Sequence, residues 1–324
     1  MRAFLTGGTG FLGGALLRKL RERGDEVVAL VRSPERARGL DAELAEGDLS
    51  DRARLTEQMR GADSVFHVAA MYEVGIPESQ RPAMYEANVT GTENVVDAAV
   101  EAGVARIVYV STVNAFGNTN GVVVDETHRR SGADYVSYYD ETKFLAHVAV
   151  EERMARGAPV IIVQPGAIYG PGDHSELGEQ LELMRTGKLR FRAMSGVGVT
   201  ATYIDDVAEG ILLAHDRGRI GESYVLAAEP TTLGAMIDTV ARLAGRRPPR
   251  LSVPTSLLKL AIPLGPLIGR TMGTGPNLRE LISASDGVTY WASDAKARRE
   301  LGWQPRSLED GLRDLVAGAD SRDL

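Results

Sequence analysis

Eight residues, Thr6-Gly7-Gly8-Thr9-Gly10-Phe11-Leu12-Gly13, constrain this chain more than any other segment. They stand between a short apolar run, Ala3-Phe4-Leu5, and an amphipathic stretch reaching about Arg23. A loop of this kind between a strand and a helix aims backbone N–H groups at an anion. The missing Cβ atoms permit a tight turn and close approach to a pyrophosphate, and the helix N-terminus adds favourable partial charge. Read from Gly8 the spacing is G-x-G-x-x-G; read from Gly7 it is G-x-x-G-x-x-G, and spacing alone does not choose between them. With Gly at 36 of 324 residues, the placement of the pattern matters more than the pattern.

Short β-branched runs alternate with longer amphipathic ones. Ala3 to Thr6, Glu26 to Val31, Glu43 to Gly47, Ser64 to His67, Arg106 to Val110 and Val160 to Gln164 read as strands, with helical patterns between them. Runs such as Ile107-Val108-Tyr109-Val110 suit strands buried on both faces, the signature of a parallel sheet covered by helices. The fold class expected is α/β, a doubly wound parallel-sheet Rossmann fold with a smaller, mostly helical C-terminal substrate lobe. Asp51 is placed to cap a helix ending before Gly61, and Gly24 and Gly103 sit where helices should stop. After about residue 165 the alternation fades. Residues 1–165 with 201–229 are expected to form the dinucleotide-binding domain, with Thr202 to Ile204 and Ser223 to Ala227 both returning to the main sheet. Residues 166–200 with 230–324 are expected to form the substrate lobe, carrying Trp291 and Trp303.

Composition narrows the partners. The formal charge of −7 repels a phosphate backbone, so nucleic acid is not expected. The absence of cysteine removes disulfides, thiolate metal sites and cysteine nucleophiles. The five histidines, His67, His128, His147, His174 and His215, show no metal-site spacing, so no metal is expected and structural roles are the default. No apolar run behind Met1 is long enough for a secretory signal, and Leu257 to Ile268, broken by Lys259, Pro263, Gly265 and Pro266, falls short of a membrane span. A cytoplasmic protein is expected, with Leu257 to Ile268 read as a pocket lid rather than a helix lying on a membrane. Asp205-Asp206 reads as a helix N-cap.

The second strand ends Val31-Arg32-Ser33, where an NAD-binding protein would carry an acidic residue for the ribose hydroxyls. Arg32, with Arg36 one turn on, suits a 2′-phosphate instead, so NADP(H) is preferred, with NAD(H) the other possibility. Asp48, ending the third strand before Leu49, can accept from the adenine amino group or close a turn. Tyr139 and Lys143 are spaced i, i+4 in a segment expected to be helical, Tyr138 to Glu152, and so share a face. An ammonium beside a phenol favours phenolate, which would let Tyr139 exchange a proton with a carbonyl or alcohol. Ser111-Thr112 ends the fifth strand, where a hydroxyl can hold a substrate oxygen.

These pieces, with Gly47-Asp48-Leu49, His67-Val68-Ala69-Ala70, Asn88-Val89-Thr90-Gly91-Thr92, Phe116-Gly117, Tyr169-Gly170-Pro171-Gly172-Asp173, Tyr203-Ile204-Asp205-Asp206-Val207-Ala208 and Leu301-Gly302-Trp303-Gln304-Pro305, occur in order along the chain. In that series the chain resembles an extended short-chain dehydrogenase/reductase of the NAD-dependent epimerase/dehydratase family. It looks closest to the dihydroflavonol reductase and 3β-hydroxysteroid dehydrogenase branch, because Gln164 stands before Pro165 where sugar-nucleotide enzymes usually carry Asn. The resemblance implies catalytic Thr112, Tyr139 and Lys143, with Tyr139 as acid/base, Lys143 on the nicotinamide ribose and lowering the Tyr139 pKa, and Thr112 rather than Ser111 on the substrate oxygen. It implies a cofactor held by Gly7, Gly10, Phe11, Leu12, Gly13, Arg32, Arg36, Asp48, Leu49, Val68, Ala69, Ala70, Tyr139, Lys143, Pro165 and Ile168.

Met71, Thr112, Phe116 and Tyr139 are the expected substrate contacts, with Ile168, Met184, Met194 and Leu257 to Ile268 as further pocket candidates. Asn88 either holds backbone near the nicotinamide or is an ordinary helix-interior Asn; Tyr138 reads as a packing residue and Tyr135 as a pocket neighbour. The function expected is NADP(H)-dependent hydride transfer between nicotinamide and a small-molecule ketone, aldehyde or alcohol. The alternatives are an NDP-sugar epimerase or dehydratase with tightly bound NAD, and a nucleotide sensor without chemistry. The family pattern implies a homodimer through the helices of Arg81 to Glu101 and of Tyr139.

Overall fold

The first strand, β1 (Arg2–Thr6), alternates its side chains between two helical layers. Ala3 and Leu5 pack with one core, Phe4 with the other. A computed structural model describes residues 1–249 other than 131, 133 and 193, and residues 287–320. In it β2 (Glu26–Val31), β3 (Glu43–Glu46), β4 (Ser64–His67), β5 (Arg106–Val110), β6 (Val160–Pro165) and β9 (Ser223–Leu226) join β1 in one sheet. The order is β3-β2-β1-β4-β5-β6-β9, and every pairing is parallel. The chain runs outward from β1 to β3 and then restarts at β4 on the other side of β1, so the crossover point lies between β1 and β4, where ligands bind in this class of sheet.

The two faces are covered as the apolar runs predict. Against one lie α1 (Phe11–Glu22), through Leu16 and Leu20, and α7 (Ile204–Arg217), through Val207 and Ile211. Against the other lie α2 (Arg52–Met59), α4 (Gly91–Glu101) and α5 (Tyr138–Ala155), through Leu55, Val95, Val96, Ala146 and Val150. Alternate residues of β6 serve both: Ile161 and Val163 face α7, Val160 and Ile162 face α5. The Asp51 carboxylate accepts from the Arg54 N–H and so caps α2. Gly24 and Gly103 adopt φ of +82° and +77° after α1 and α4, a conformation that glycine takes without strain.

Beyond β6 the expectation needs correcting. A second, four-stranded sheet orders β10 (Pro230–Thr232), β8 (Gly198–Tyr203) and β11 (Thr289–Tyr290), with β7 (Ala167–Tyr169) also paired to β8. Residues 202–203 therefore lie in this sheet, and only Ser223–Leu226 returns to the main one. The reason is Gly166, where an added Cβ would collide with the Thr200 carbonyl oxygen. The backbone turns off the main sheet there and runs close against β8. Among the described residues the lobe combines this small sheet with the helices α6 (Glu176–Thr186), α8 (Leu233–Leu243) and α9 (Leu308–Asp320). Asp205 and Asp206 sit in the first turn of α7 and not at its cap; they pair with Arg18 and Arg306, and the Trp303 indole donates to the Asp206 carbonyl. Among the described residues no helix is long and apolar enough to cross a membrane. The Leu257 to Ile268 segment lies outside the described residues.

Candidate active site

A cleft of about 1820 Å³ opens along the C-terminal ends of β1, β2, β4, β5 and β6. Its floor is the glycine loop. Gly7 stands at φ +79°, and a Cβ there would sit 2.7 Å from the Ala69 backbone nitrogen. A Cβ on Gly13 would collide with the Gly7 carbonyl oxygen. Gly10, the N-cap of α1, donates its N–H to that oxygen at 2.9 Å. Gly7, Gly10, Phe11, Leu12 and Gly13 line the cleft, whereas Gly8 faces Leu5, Leu40 and Ala29 on the outer side. The geometry therefore selects the register beginning at Gly7. A cradle from which Cβ atoms are excluded, set at the start of a helix, fits a dinucleotide pyrophosphate.

Around this floor the cleft is lined by Arg32, Arg36, Asp48, Leu49, Val68, Ala69, Ala70, Met71, Thr112, Tyr139, Lys143, Pro165 and Ile168, all expected from sequence. The Asp48 carboxylate accepts from the Ser50 N–H at 3.0 Å, a turn-forming bond. Arg32 and Arg36 have no acidic partner among the described residues. Asn88 holds the Met71 backbone at two points, accepting its N–H at 2.7 Å and donating to its carbonyl at 3.0 Å, so the backbone-holding reading is the correct one.

Behind the loop, His67 is fully buried and hydrogen-bonded on both ring nitrogens. Thr92 donates to the Asn88 carbonyl, so its oxygen accepts from His67 Nε2–H at 3.0 Å; His67 Nδ1 then accepts from the Thr6 hydroxyl at 2.7 Å. Burial, with the Lys143 charge adding to it, pushes the His67 pKa down to about 3. His147 is paired to Ser111 Oγ at 2.9 Å, whereas Thr112 Oγ1 accepts the Asn114 N–H at 3.2 Å.

The Tyr139–Lys143 face meets the cleft as the i, i+4 spacing predicts, but its electrostatics differ from the expectation. Burial pushes the Tyr139 phenol well above its ordinary range, and the Tyr72, Asp140 and Tyr109 side chains add to this. The Lys143 ammonium donates to the Val110 carbonyl at 3.2 Å, and burial pulls its pKa down to about 8. Desolvation is the leading cause at both groups. The phenol is thus held in its protonated form.

Three expected pocket residues lie elsewhere. Phe116 packs with Val113, Val225 and Ala227 and meets the His128 ring edge-on at 5.8 Å. Met184 is buried in the core beneath the second sheet. Tyr135 lies under the Arg130 guanidinium, 4.2 Å from its ring centroid, away from the cleft lining. Tyr138 packs under Arg81 as expected. Conversely, Asn114, Asp140, Tyr72, Leu177 and Tyr290 line the cleft without having been singled out. The i+1 position of Asp140 relative to Tyr139 was the one sequence signal available for any of them.

The family comparison agrees with this geometry. Residues 3–227 match the NAD dependent epimerase/dehydratase family. A ketoreductase of Stigmatella aurantiaca acting on 4-hydroxy-2-methyl-3-oxo-4-farnesyl-3,4-dihydroquinoline-1-oxide is 34% identical over 94% of this chain and 92% of its own. The 2-alkyl-3-oxoalkanoate reductase of Stenotrophomonas maltophilia is 31% identical over 98% and 99%. Among solved structures, that of gox2253 superposes with a TM-score of 0.83 at 35% identity, covering 99% of this chain and 98% of the other. The UDP-glucose 4-epimerase of Thermotoga maritima shares the fold, with a TM-score of 0.80 at 21% identity over the full length of both chains. The glycine register, the strand order and these likenesses converge: the chain belongs to the NAD-dependent epimerase/dehydratase family of extended short-chain dehydrogenases/reductases, a family of NAD(P)-dependent enzymes.

Proposed function

We propose that this protein is an NADP(H)-dependent carbonyl reductase, or the corresponding alcohol dehydrogenase, acting on a small ketone or aldehyde with an apolar tail. The observation that carries the reading is the gathering of Thr112, Tyr139 and Lys143 on one wall of a cleft whose floor is the Gly7–Gly10–Gly13 cradle. When bound, the nicotinamide supplies or accepts the hydride. The chain's own part is the proton. Held protonated by burial, the Tyr139 phenol can hydrogen-bond a carbonyl oxygen and give it a proton as the alcohol forms, the raised pKa working against that transfer until a nearby cation offsets it, with solvent restoring the phenol afterwards. Thr112, on the same wall, is assigned to that oxygen, its Oγ1 accepting from the alcohol hydroxyl. Lys143, in the reach of the cleft, is assigned to the ribose hydroxyls and to making the phenol a better proton carrier once a ligand reorganises its contact with Val110.

The side of the cleft beyond Tyr139 carries Met71, Val74, Leu177, Met194 and Leu233. This apolar wall supports a substrate with an alkyl or ring tail, as do the farnesyl and alkyl groups in the names of the two reductases above. Arg32 and Arg36, without an acidic partner among the described residues, support a 2′-phosphate and so NADP(H) over NAD(H). A homodimer through α4 and α5 completes the reading; size-exclusion chromatography with light scattering tests it.

The experiment is a screen of ketones, aldehydes and alcohols with NADPH and NADH, following absorbance of the reduced cofactor, repeated on Tyr139→Phe. Turnover by the native chain and a loss of about 10²-fold or more in kcat for Tyr139→Phe, with cofactor affinity kept, are expected. Wild-type inactivity with every carbonyl and alcohol, or full activity of Tyr139→Phe, would refute it.

A further inference from the structure

The residue following Tyr139 is a carboxylate in a place where carboxylates are costly. Asp140 is 1% exposed, and its two oxygens are both engaged from distant parts of the chain: Asn114 Nδ2 donates to Oδ1 at 2.9 Å, and the Tyr290 hydroxyl donates to Oδ2 at 2.7 Å. The Ser137 hydroxyl oxygen accepts from its backbone N–H, fixing the start of α5. Burial raises the Asp140 pKa, while Asn114, Tyr290, Ser137 and the Arg130 charge pull against that. Folding alone does not call for such a group, since an apolar side chain at the first turn of α5 would avoid the desolvation.

The contacts have a definite polarity. An ionised carboxylate only accepts hydrogen bonds, so Asn114 must present its NH₂ to Asp140 and therefore its Oδ1 to the other side. On that other side, 3.3 Å away, is Thr112 Oγ1, which also accepts the Asn114 backbone N–H at 3.2 Å. The hydrogen of the Thr112 hydroxyl is thereby aimed at Asn114 Oδ1, and one oxygen lone pair is used by the Asn114 N–H. Were Asp140 absent, the Asn114 amide would lose the acceptor that holds its NH₂ and could swing away from Thr112, leaving the hydroxyl without a fixed direction. At the far end, Tyr290 belongs to β11 of the second sheet and itself lines the cleft. One chain of hydrogen bonds thus runs Tyr290, Asp140, Asn114, Thr112 from the second sheet to a hydroxyl oxygen that lines the cleft.

We propose that Asp140 is a positioning residue for the reaction, setting the direction of the Thr112 hydroxyl through the Asn114 amide and tying that direction to Tyr290 of the second sheet. The inference rests on the reductase reading for its kinetic arm. Tyr139 is faced by Tyr72, Asp140 and Tyr109, with the Lys143 ammonium 5.3 Å from the Tyr109 ring centroid, and Asp140 by Arg130 and Tyr290, so removing the carboxylate also takes away one of the charges that raise the phenol's pKa.

The test has two arms. In the first, Asp140→Ala and Asn114→Ala are each expected to lower kcat about tenfold with cofactor Kd within about twofold, and the double variant to be no worse than either alone, because the two act in series. Asp140→Asn, close in shape but uncharged, is expected to move the pH dependence of kcat to lower pH, which a purely structural role would leave in place. Additive losses in the double variant, or an unmoved pH profile, would overturn the proposal. In the second arm, a crystal structure of Asp140→Ala should show the Asn114 amide or the Thr112 hydroxyl displaced, with their separation beyond about 3.5 Å. If the pair stays in place with Asp140 gone, the proposal fails, whatever the substrate. If no carbonyl or alcohol is turned over by the native chain, the reductase reading fails instead, and the crystallographic arm still decides the role of Asp140.

Discussion

The Lys143 ammonium donates to the Val110 carbonyl across 3.2 Å, joining the middle of α5 to the last residue of β5. This contact places a cation in a fully desolvated position, and the strand end supplies the one acceptor it is given. Burial therefore dominates, and the pKa falls to about 8. The consequence for stability has a definite sign. Between about pH 8 and the free-lysine value near 10.4 the unfolded chain binds a proton that the folded chain does not, so stability rises with pH across that window. Below it, the folded protein carries the whole cost of a buried charge.

Lys143→Met is accordingly expected to stabilise the cofactor-free protein at pH 7, by roughly 1–3 kcal/mol once the lost hydrogen bond is set against the relieved desolvation. The advantage over the native chain should shrink between pH 8 and 10. Urea unfolding of both proteins at pH 7, 9 and 10 measures it. A variant less stable at pH 7, or a difference that does not change with pH, would show that the contact with Val110 outweighs burial.

His67 shows the same sign in a lower window. Its folded pKa of about 3 lies below the free value of 6.5, so the neutral ring contributes stability that is fully present above pH 6.5 and is lost as pH falls toward 3. The hydrogen bonds from Thr6 and to Thr92 suit the neutral ring only. His67→Gln removes the titrating group. The stability gap between native and variant should narrow by a few kcal/mol from pH 6.5 to pH 4, a trend readable by thermal unfolding. A gap constant over that range would mean that the ring protonates in place.

How much of this was legible beforehand depends on the range of the contact. The parallel sheet follows from runs such as Val160 to Val163, because burial on both faces leaves its mark on four adjacent residues. Tyr139 and Lys143 follow from a helical repeat within five residues. The choice of glycine register did not, since Gly7 and Gly8 differ only in which side of β1 they face, and spacing carries no such label. Asp140, Asn114 and Tyr290 were invisible for a stronger reason: their bonds span 26 and 150 residues. Phe116 was misplaced because apolarity predicts burial without saying in which cluster. The second sheet was not legible because three of its strands are only two or three residues long, and the alternation of Val199-Thr200-Ala201-Thr202-Tyr203 marks a strand without saying which sheet it joins.

The two glycines at the start of α1 give a paired test of the cradle. Gly13 faces the Gly7 carbonyl oxygen with no room for a methyl group, whereas a Cβ on Gly14 would lie 3.7 Å from the Gly8 oxygen, an ordinary contact. Gly13→Ala is expected to push the loop open, costing about 2 kcal/mol or more in stability and at least about tenfold in dinucleotide affinity. Gly14→Ala, in a helix, should be neutral or stabilising by about 0.5–1 kcal/mol with affinity kept. Differential scanning fluorimetry and cofactor fluorescence titration separate them. Equal effects of the two substitutions would remove the argument that the cradle is shaped by what glycine lacks.

The last prediction concerns the choice between dinucleotides. Arg32 lies one residue past β2 and Arg36 four residues further on, both lining the cleft and neither paired with an acid among the described residues. Two unneutralised guanidinium groups at that spacing give a 2′-phosphate a charge-assisted partner on each side, while a 2′-hydroxyl gains little from them. Arg32→Ala with Arg36→Ala should therefore weaken NADPH by about 10²-fold at low salt and leave NADH within about threefold, narrowing the preference from one side only. Because the attraction is between exposed charges, the NADPH advantage of the native chain should also fall as salt rises from 0.05 to 0.5 M, roughly as the Debye length contracts. Isothermal titration with both nucleotides at the two salt concentrations measures each claim. Equal losses for NADPH and NADH would mean that the arginines hold a part common to both dinucleotides, such as the adenine face, and the NADP(H) assignment would go with them.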